Sequence, residues 1–145
     1  MSKDVYHEIL LHVTWHTKES RRLICTSMEP HLHGLVRAKA IEAGGVYVHQ
    51  VGGTGNHVHL AARVPPTLLI SEWIGRIKGA ASHDINAMDR WACLSWQSGY
   101  GVVTFGAKDL AWVVDYVRNQ KEHHRMGKVF DRLESIQSSD DSISP

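Results

Sequence analysis

Cysteine is scarce. Cys25 and Cys93 are the only two in 145 residues, which excludes a disulfide framework and a four-thiolate zinc site. Long apolar runs are missing as well. None approaches the roughly 20 residues that would span a bilayer, and acids and a histidine interrupt the stretch from Met1 to Leu10 where a signal peptide would need an apolar core. A cytoplasmic protein without membrane contact is expected. Excess charge of either sign is also lacking. Sixteen Lys and Arg face 15 Asp and Glu, a formal net charge of +1. A strongly basic tail is therefore excluded as the basis of nucleic-acid binding, while a local basic surface is not. The length suits one domain around one core, read here as residues 1–136. Residues 137–145 (QSSDDSISP) are polar, acidic and Ser-rich, the composition of a flexible tail. Against these deficits stands an excess of 11 histidines, which directs attention to metal or proton chemistry.

The hydrophobic pattern alternates between strand and helix periods. From Tyr6 to Thr17, Ile9, Leu11, Val13 and Trp15 alternate with Leu10, His12, Thr14 and His16, as in a half-buried strand. A basic loop with Lys18, Arg21 and Arg22 follows. Thr26 and Glu29 have the spacing of a capping box, and Leu32, Leu35, Val36 and Ala40 continue a helix that Gly44 and Gly45 stop. Val46–Val51 and His57–Val64 read as the strands of a hairpin with Gly52–Asn56 as its turn. A second helix is expected from about Thr67 to Asn86, with Leu69, Ile70, Trp73, Ile74 and Ile77 as its apolar stripe. A further strand lies within Leu94–Phe105. A last helix from about Lys108 to Met126 buries Leu110, Val113, Val114 and Val117 and leaves Tyr116 at its boundary. The order β-α-β-β-α-β-α predicts an α+β fold, a ferredoxin-like (RRM-like) βαββαβ antiparallel sheet with an additional C-terminal helix carrying the tyrosine. Such a sheet can leave one face open.

Three groups of residues carry chemistry. His57 and His59, two apart on a strand, project to one face, while Val58, Leu60, Ala62 and Val64 project to the core. Two imidazoles held side by side are a start for a divalent metal site, and His12 and His16 join the same face if the first strand lies beside them. Tyr116 and Gln120 are four apart, so one helix face presents a phenol and an amide, flanked by Asn119 and His123. Two imidazoles and an amide oxygen can hold a divalent cation and leave positions for substrate oxygens. Such an ion polarises a phosphoryl oxygen, and a phenol is a competent nucleophile once its proton is drawn off. The third group is basic and aromatic: Arg21, Arg22, Arg76, Lys78, Arg118, Lys121, His123, His124 and Arg125, with Trp96, Tyr100 and Phe105 in or beside the last strand. Cations grip phosphates and aromatic faces stack on unpaired bases. Each group also has a plain reading, as a solvated sheet face, a boundary tyrosine, and exposed helix faces with core aromatics.

From about His12 to Arg125 the chain resembles the single-tyrosine HUH transposases of the insertion sequence 200/605 type. The matching segments are VTWHTKESRR, NHVHL, IGRIKGAASHDI, WQSGYGVVTF and YVRNQKEHHR, with His57, Val58 and His59 as the HUH triplet. The resemblance implies that His57, His59 and Gln120 ligate a divalent metal, Mg²⁺ or Mn²⁺, and that Tyr116 is the nucleophile. It implies cleavage of one DNA strand to a 5′-phosphotyrosine and a free 3′-hydroxyl, then rejoining by the reverse attack. Imperfect hairpins near the ends of a mobile element are the implied partner. A homodimer is also implied, in which the tyrosine helix of one subunit can complete the histidine site of the other. The loop before the histidines is richer in glycine than the family pattern. Two alternatives use the same residues. One is a non-catalytic or host-domesticated single-stranded nucleic-acid-binding protein. The other is a metal hydrolase acting through bound water, against which stands the lack of an acidic ligand cluster near the histidines.

Overall fold

The computed structural model describes residues 5–136, so the expected tail lies outside the described residues. Four strands form one antiparallel sheet: β1 (Ile9–His16), β2 (Tyr47–Thr54), β3 (His57–Val64) and β4 (Gly101–Phe105), in the spatial order β2-β3-β1-β4. Helices α1 (Glu29–Ile41) and α2 (Ile70–Met88) supply the connections that place β1 between β3 and β4. This is the split βαβ arrangement that the element order predicts.

Strand periodicity sorts the residues. Leu11, Val13 and Trp15 of β1 and Val58, Leu60, Ala62 and Val64 of β3 bury against Leu32 and Val36 of α1 and Trp73, Ile74 and Ile77 of α2. Their neighbours in sequence point to the opposite face. That face is covered and not open: His12 is 1 % exposed and His59 0 %. Two pieces of chain beyond β4 cover it. Helix α3 (Leu110–Arg118) packs Val113 and Val117 on Ala61. The short α5 (Asp131–Glu134) lies against β4 and β1, with Leu133 1 % exposed.

Several expected boundaries shift. Helix α1 begins at Glu29, with no side-chain cap from Thr26, because Pro30 is accommodated only in the first turn. Leu69 precedes α2 and is exposed, and the buried stripe continues instead through Ala81 and Ile85. The final helix is not continuous. It breaks at Asn119 (φ −106°, ψ 34°), so Tyr116 lies on α3 and Gln120 on α4 (Gln120–Arg125). Strand β2 runs on through Gly52, Gly53 and Thr54, leaving a tight turn at Gly55 and Asn56.

The last shift gives the glycine-rich segment a purpose. Cross-strand pairing sets Gly52, His59, Thr14 and Gly101 in one row across the sheet. A Cβ on Gly52 would lie 1.9 Å from the Val117 carbonyl oxygen, and one on Gly101 would lie 1.8 Å from that of Ser135. Glycine at both positions lets α3 and the C-terminal segment descend onto the sheet on either side of His59.

Candidate metal and tyrosine site

On the covered face, His57 and His59 project together as their spacing requires. Each has one ring nitrogen committed to the protein. The Nδ1–H of His57 donates to Asn56 Oδ1 at 2.7 Å. Asn56 is oriented by its own amide, which donates to the Ser20 carbonyl. Nδ1 of His59 lies 2.7 Å from Nε2 of His12. The Nε2 atoms of His57 and His59 therefore face a common centre. Burial, followed by the charge of His59, pushes His57 down to about 3, and burial lowers His59 as well. Both imidazoles are neutral ligands at neutral pH.

The other donors come from the segments beyond β4. Gln120 donates its amide to the Tyr116 carbonyl at 3.0 Å, which turns Oε1 to within 3.2 Å of His57 Nε2 and 3.1 Å of His124 Nε2. Glu134 Oε1 lies 3.2 Å from His59 Nε2, 3.6 Å from His57 Nε2 and 3.5 Å from His124 Nε2. Ligand atoms of His57, His59, His124 and Glu134 all fall within 4.8 Å of one another. His59 Nε2 is buried, with the Glu134 carboxylate as its close polar neighbour. A buried ring nitrogen facing convergent oxygen and nitrogen donors fits a divalent cation. The imidazole share of the set suits Mn²⁺ better than Mg²⁺.

Tyr116 is buried, at 2 % exposure, and not at a helix boundary. Its ring is stacked between Trp112 (centroids 5.5 Å apart) and His123 (4.8 Å). Its hydroxyl donates to Glu134 Oε2 at 2.5 Å and accepts from the Phe130 N–H at 2.7 Å. Burial, and then the Glu134 hydrogen bond, raises the phenol above its ordinary value. Burial alone would raise the Glu134 carboxyl, but His59, the Tyr116 hydroxyl and His57 together bring it down to about 2. One ionised carboxylate thus bridges the imidazole cluster and the phenol within a single chain.

Glu134 and His124 are the residues that sequence reasoning missed. His124 was visible only as one of a basic run. Glu134 had no periodic signal, and it is the one acid that joins the three histidines of the group, so the expected lack of an acidic cluster stands among the described residues. The basic candidates divide. Arg22 and Lys121 line a cavity of about 460 Å³ with Thr54, Asn56, His124 and Arg125, next to His57. Arg118 lines an adjoining groove with Lys121. Arg21 pairs with Glu19 at the surface. Two candidates lie on α2, across the sheet from the site: Arg76 pairs with Glu72, and Lys78 donates to the Gln97 and Gly99 carbonyls as a loop anchor. Trp96 and Tyr100 pack on the main core and Phe105 on the smaller cluster.

The family "Transposase IS200 like" matches residues 5–120, and the chain belongs to it. Similar relatives are the transposases for insertion sequence element IS200 of Salmonella typhimurium and Salmonella typhi. Each is 25 % identical over 134 residues, covering 82 % of this chain and 86 % of the relative. Among solved structures, a protein assigned as a transposase from Deinococcus radiodurans superposes with a TM-score of 0.64 at 19 % identity, covering 83 % of this chain and 96 % of the other. A tyrosine transposase bound to a REP hairpin superposes at 0.59 and 16 % identity, covering 89 % and 76 %. The family match ends at Gln120, so His124 and Glu134 lie beyond it. Among the described residues no helix is long and apolar enough to cross a membrane.

Proposed function

We propose that this transposase cleaves and rejoins single-stranded DNA at insertion-sequence ends through a 5′-phosphotyrosine on Tyr116, with His57, His59 and Gln120 holding a divalent metal, Mg²⁺ or Mn²⁺. The observation that carries this is the single carboxylate of Glu134 touching both the imidazole cluster and the Tyr116 hydroxyl. A group with two oxygens placed so is where two oxygens of a scissile phosphate belong. A divalent ion held by His57, His59 and Gln120 would supply Lewis-acid polarisation of a phosphoryl oxygen.

The chain's own residues do the rest. Trp112 and His123 hold the phenol ring in plane, and the Gln120 amide ties the α3–α4 junction to the tyrosine backbone. The strand phosphate replaces Glu134, and the phenol oxygen attacks phosphorus as it gives up its proton. The bond to the 3′-oxygen breaks as the tyrosine–phosphorus bond forms, and the departing oxygen takes up, by way of water, the proton that the phenol gives up and leaves as a 3′-hydroxyl. Rejoining reverses these steps and needs no external energy, because the phosphotyrosine keeps the bond energy. Flanking phosphates fit the Arg22, Lys121 and Arg125 cavity. Hairpin ends are the proposed substrate, supported by the hairpin held by the structural relative.

A labelled single strand carrying an element end should form a covalent protein–DNA adduct with Mn²⁺. Tyr116→Phe should abolish it, and an adduct that survives that substitution would overturn the assignment. A pure nucleic-acid binder would bind the strand and form no adduct with the wild-type chain. We also propose a homodimer, in which each chain uses its own tyrosine, since one chain brings Tyr116 to its own imidazoles. Mixed dimers of His57→Ala and Tyr116→Phe should then stay inactive, whereas restored cleavage would indicate that subunits share sites.

A further inference from the structure

We propose that His12 is a positioning residue for the metal centre: its Nε2 accepts the proton on His59 Nδ1 and thereby presents the His59 Nε2 lone pair to the ion. This rests on the proposal that the paired imidazoles hold a metal.

Strand register sets the two rings together. His59 pairs with Thr14 and His12 with Ala61, so His12 and His59 are diagonal neighbours on adjacent strands and the same face. Diagonal neighbours are within reach of ring side chains. Ala61 opposite His12 contributes only a methyl group, which leaves room for the two rings at a centroid distance of 4.9 Å. The nitrogens approach to 2.7 Å, a short hydrogen bond. Both residues are almost fully buried, at 1 % and 0 % exposure.

The neighbouring polar groups have partners of their own. Thr14, the direct partner of His59, donates its hydroxyl to the Val58 carbonyl at 2.8 Å. His16 and Thr54 lie beside His57, which has its own acceptor in Asn56. The two ligand imidazoles are thus held by different devices: an amide oxygen behind His57 and a second imidazole behind His59. A metal-binding histidine ordinarily donates its other N–H to an acceptor, which fixes tautomer and ring orientation. His12 meets that requirement in a buried setting where a carboxylate would bring an unpaired charge. Its position makes it an acceptor to one ligand.

The test uses the full chain without DNA. Mn²⁺ affinity is measured by electron paramagnetic resonance of the free ion, with unfolding midpoints taken in EDTA. His12→Phe fills the space without an acceptor and should weaken Mn²⁺ binding about 10- to 100-fold. His12→Gln restores a hydrogen-bonding group at similar reach and should recover most of the affinity. A purely structural role would instead lower both midpoints and leave affinity per folded molecule unchanged, which would overturn the proposal. Failure of His12→Gln to improve on His12→Phe would do the same. A measurement on the unaltered protein is independent of both variants: ¹⁵N shifts should show His59 protonated at Nδ1, and a proton at Nε2 would refute the assignment. If the wild-type chain binds no Mn²⁺, the metal reading fails, whereas intact Mn²⁺ binding in folded His12→Phe sinks only the role of His12.

Discussion

In the proposed mechanism Glu134 stands where the substrate phosphate would bind, so removing its charge should speed the first chemical step. In Glu134→Gln the side chain keeps its size and a carbonyl oxygen. It loses the ionised oxygen that accepts from Tyr116 at 2.5 Å and the charge beside His59 at 3.2 Å. A hydrogen bond to a charged group is worth about 1.5–3 kcal/mol. At about 1.4 kcal/mol per tenfold, easier displacement corresponds to a roughly 10- to 100-fold faster adduct formation at subsaturating strand. The assay is single-turnover adduct formation on a labelled strand with Mn²⁺, resolved under denaturing conditions. Leu133→Ala reaches the same end without touching the site, because Leu133, 1 % exposed, anchors the segment that carries Glu134. It should accelerate adduct formation and expose the residues after Phe130 to proteolysis. A rate unchanged or lowered in Glu134→Gln, with the fold intact, would refute the reasoning and make the carboxylate a required ligand.

Two further outcomes follow from the geometry. Gly52→Ala would drive a methyl into the Val117 carbonyl, 1.9 Å away. It should cost roughly 1–3 kcal/mol of stability and reduce adduct formation, because α3 carries Tyr116. Thermal unfolding at the wild-type midpoint would contradict the close packing. Acid should also destabilise the metal-free protein. His12 and His57 have folded pKa values of about 3 against 6.5, so the unfolded chain binds more protons between those values. Glu134, at about 2 against 4.5, acts in the same direction below pH 4.5. Stability is therefore greatest above pH 6.5 and falls toward pH 3 by up to about 1.4 kcal/mol per pH unit per group. Urea unfolding at pH 7 and pH 5 measures this, and equal stabilities would refute the buried neutral imidazoles.

The sequence disclosed those parts of the site that obey a short period. His57 and His59 share a face because strand side chains alternate, and β3 begins and ends where its pattern places it. The same alternation put His12 on that face, and only pairing register could reveal that it meets His59 rather than solvent. Tyr116 and Gln120 are near neighbours because they are four apart, and this survives the break at Asn119 because the Gln120 amide bonds back across it. What stayed hidden was everything set by the chain after the last strand. A tyrosine between Asp115 and Val117 looks like a boundary residue until Phe130 and Glu134 fold back over it. The glycines in the β2 segment look like turn residues until α3 is seen pressed onto one of them. Gly52 and Gly101 flank His59 in one row, each with a foreign carbonyl where its side chain would be. Such contacts are long-range and leave no periodic trace. They determine whether the imidazole face is an open binding sheet or a closed centre, and closure brings a phenol and two imidazoles to the two oxygens of one carboxylate.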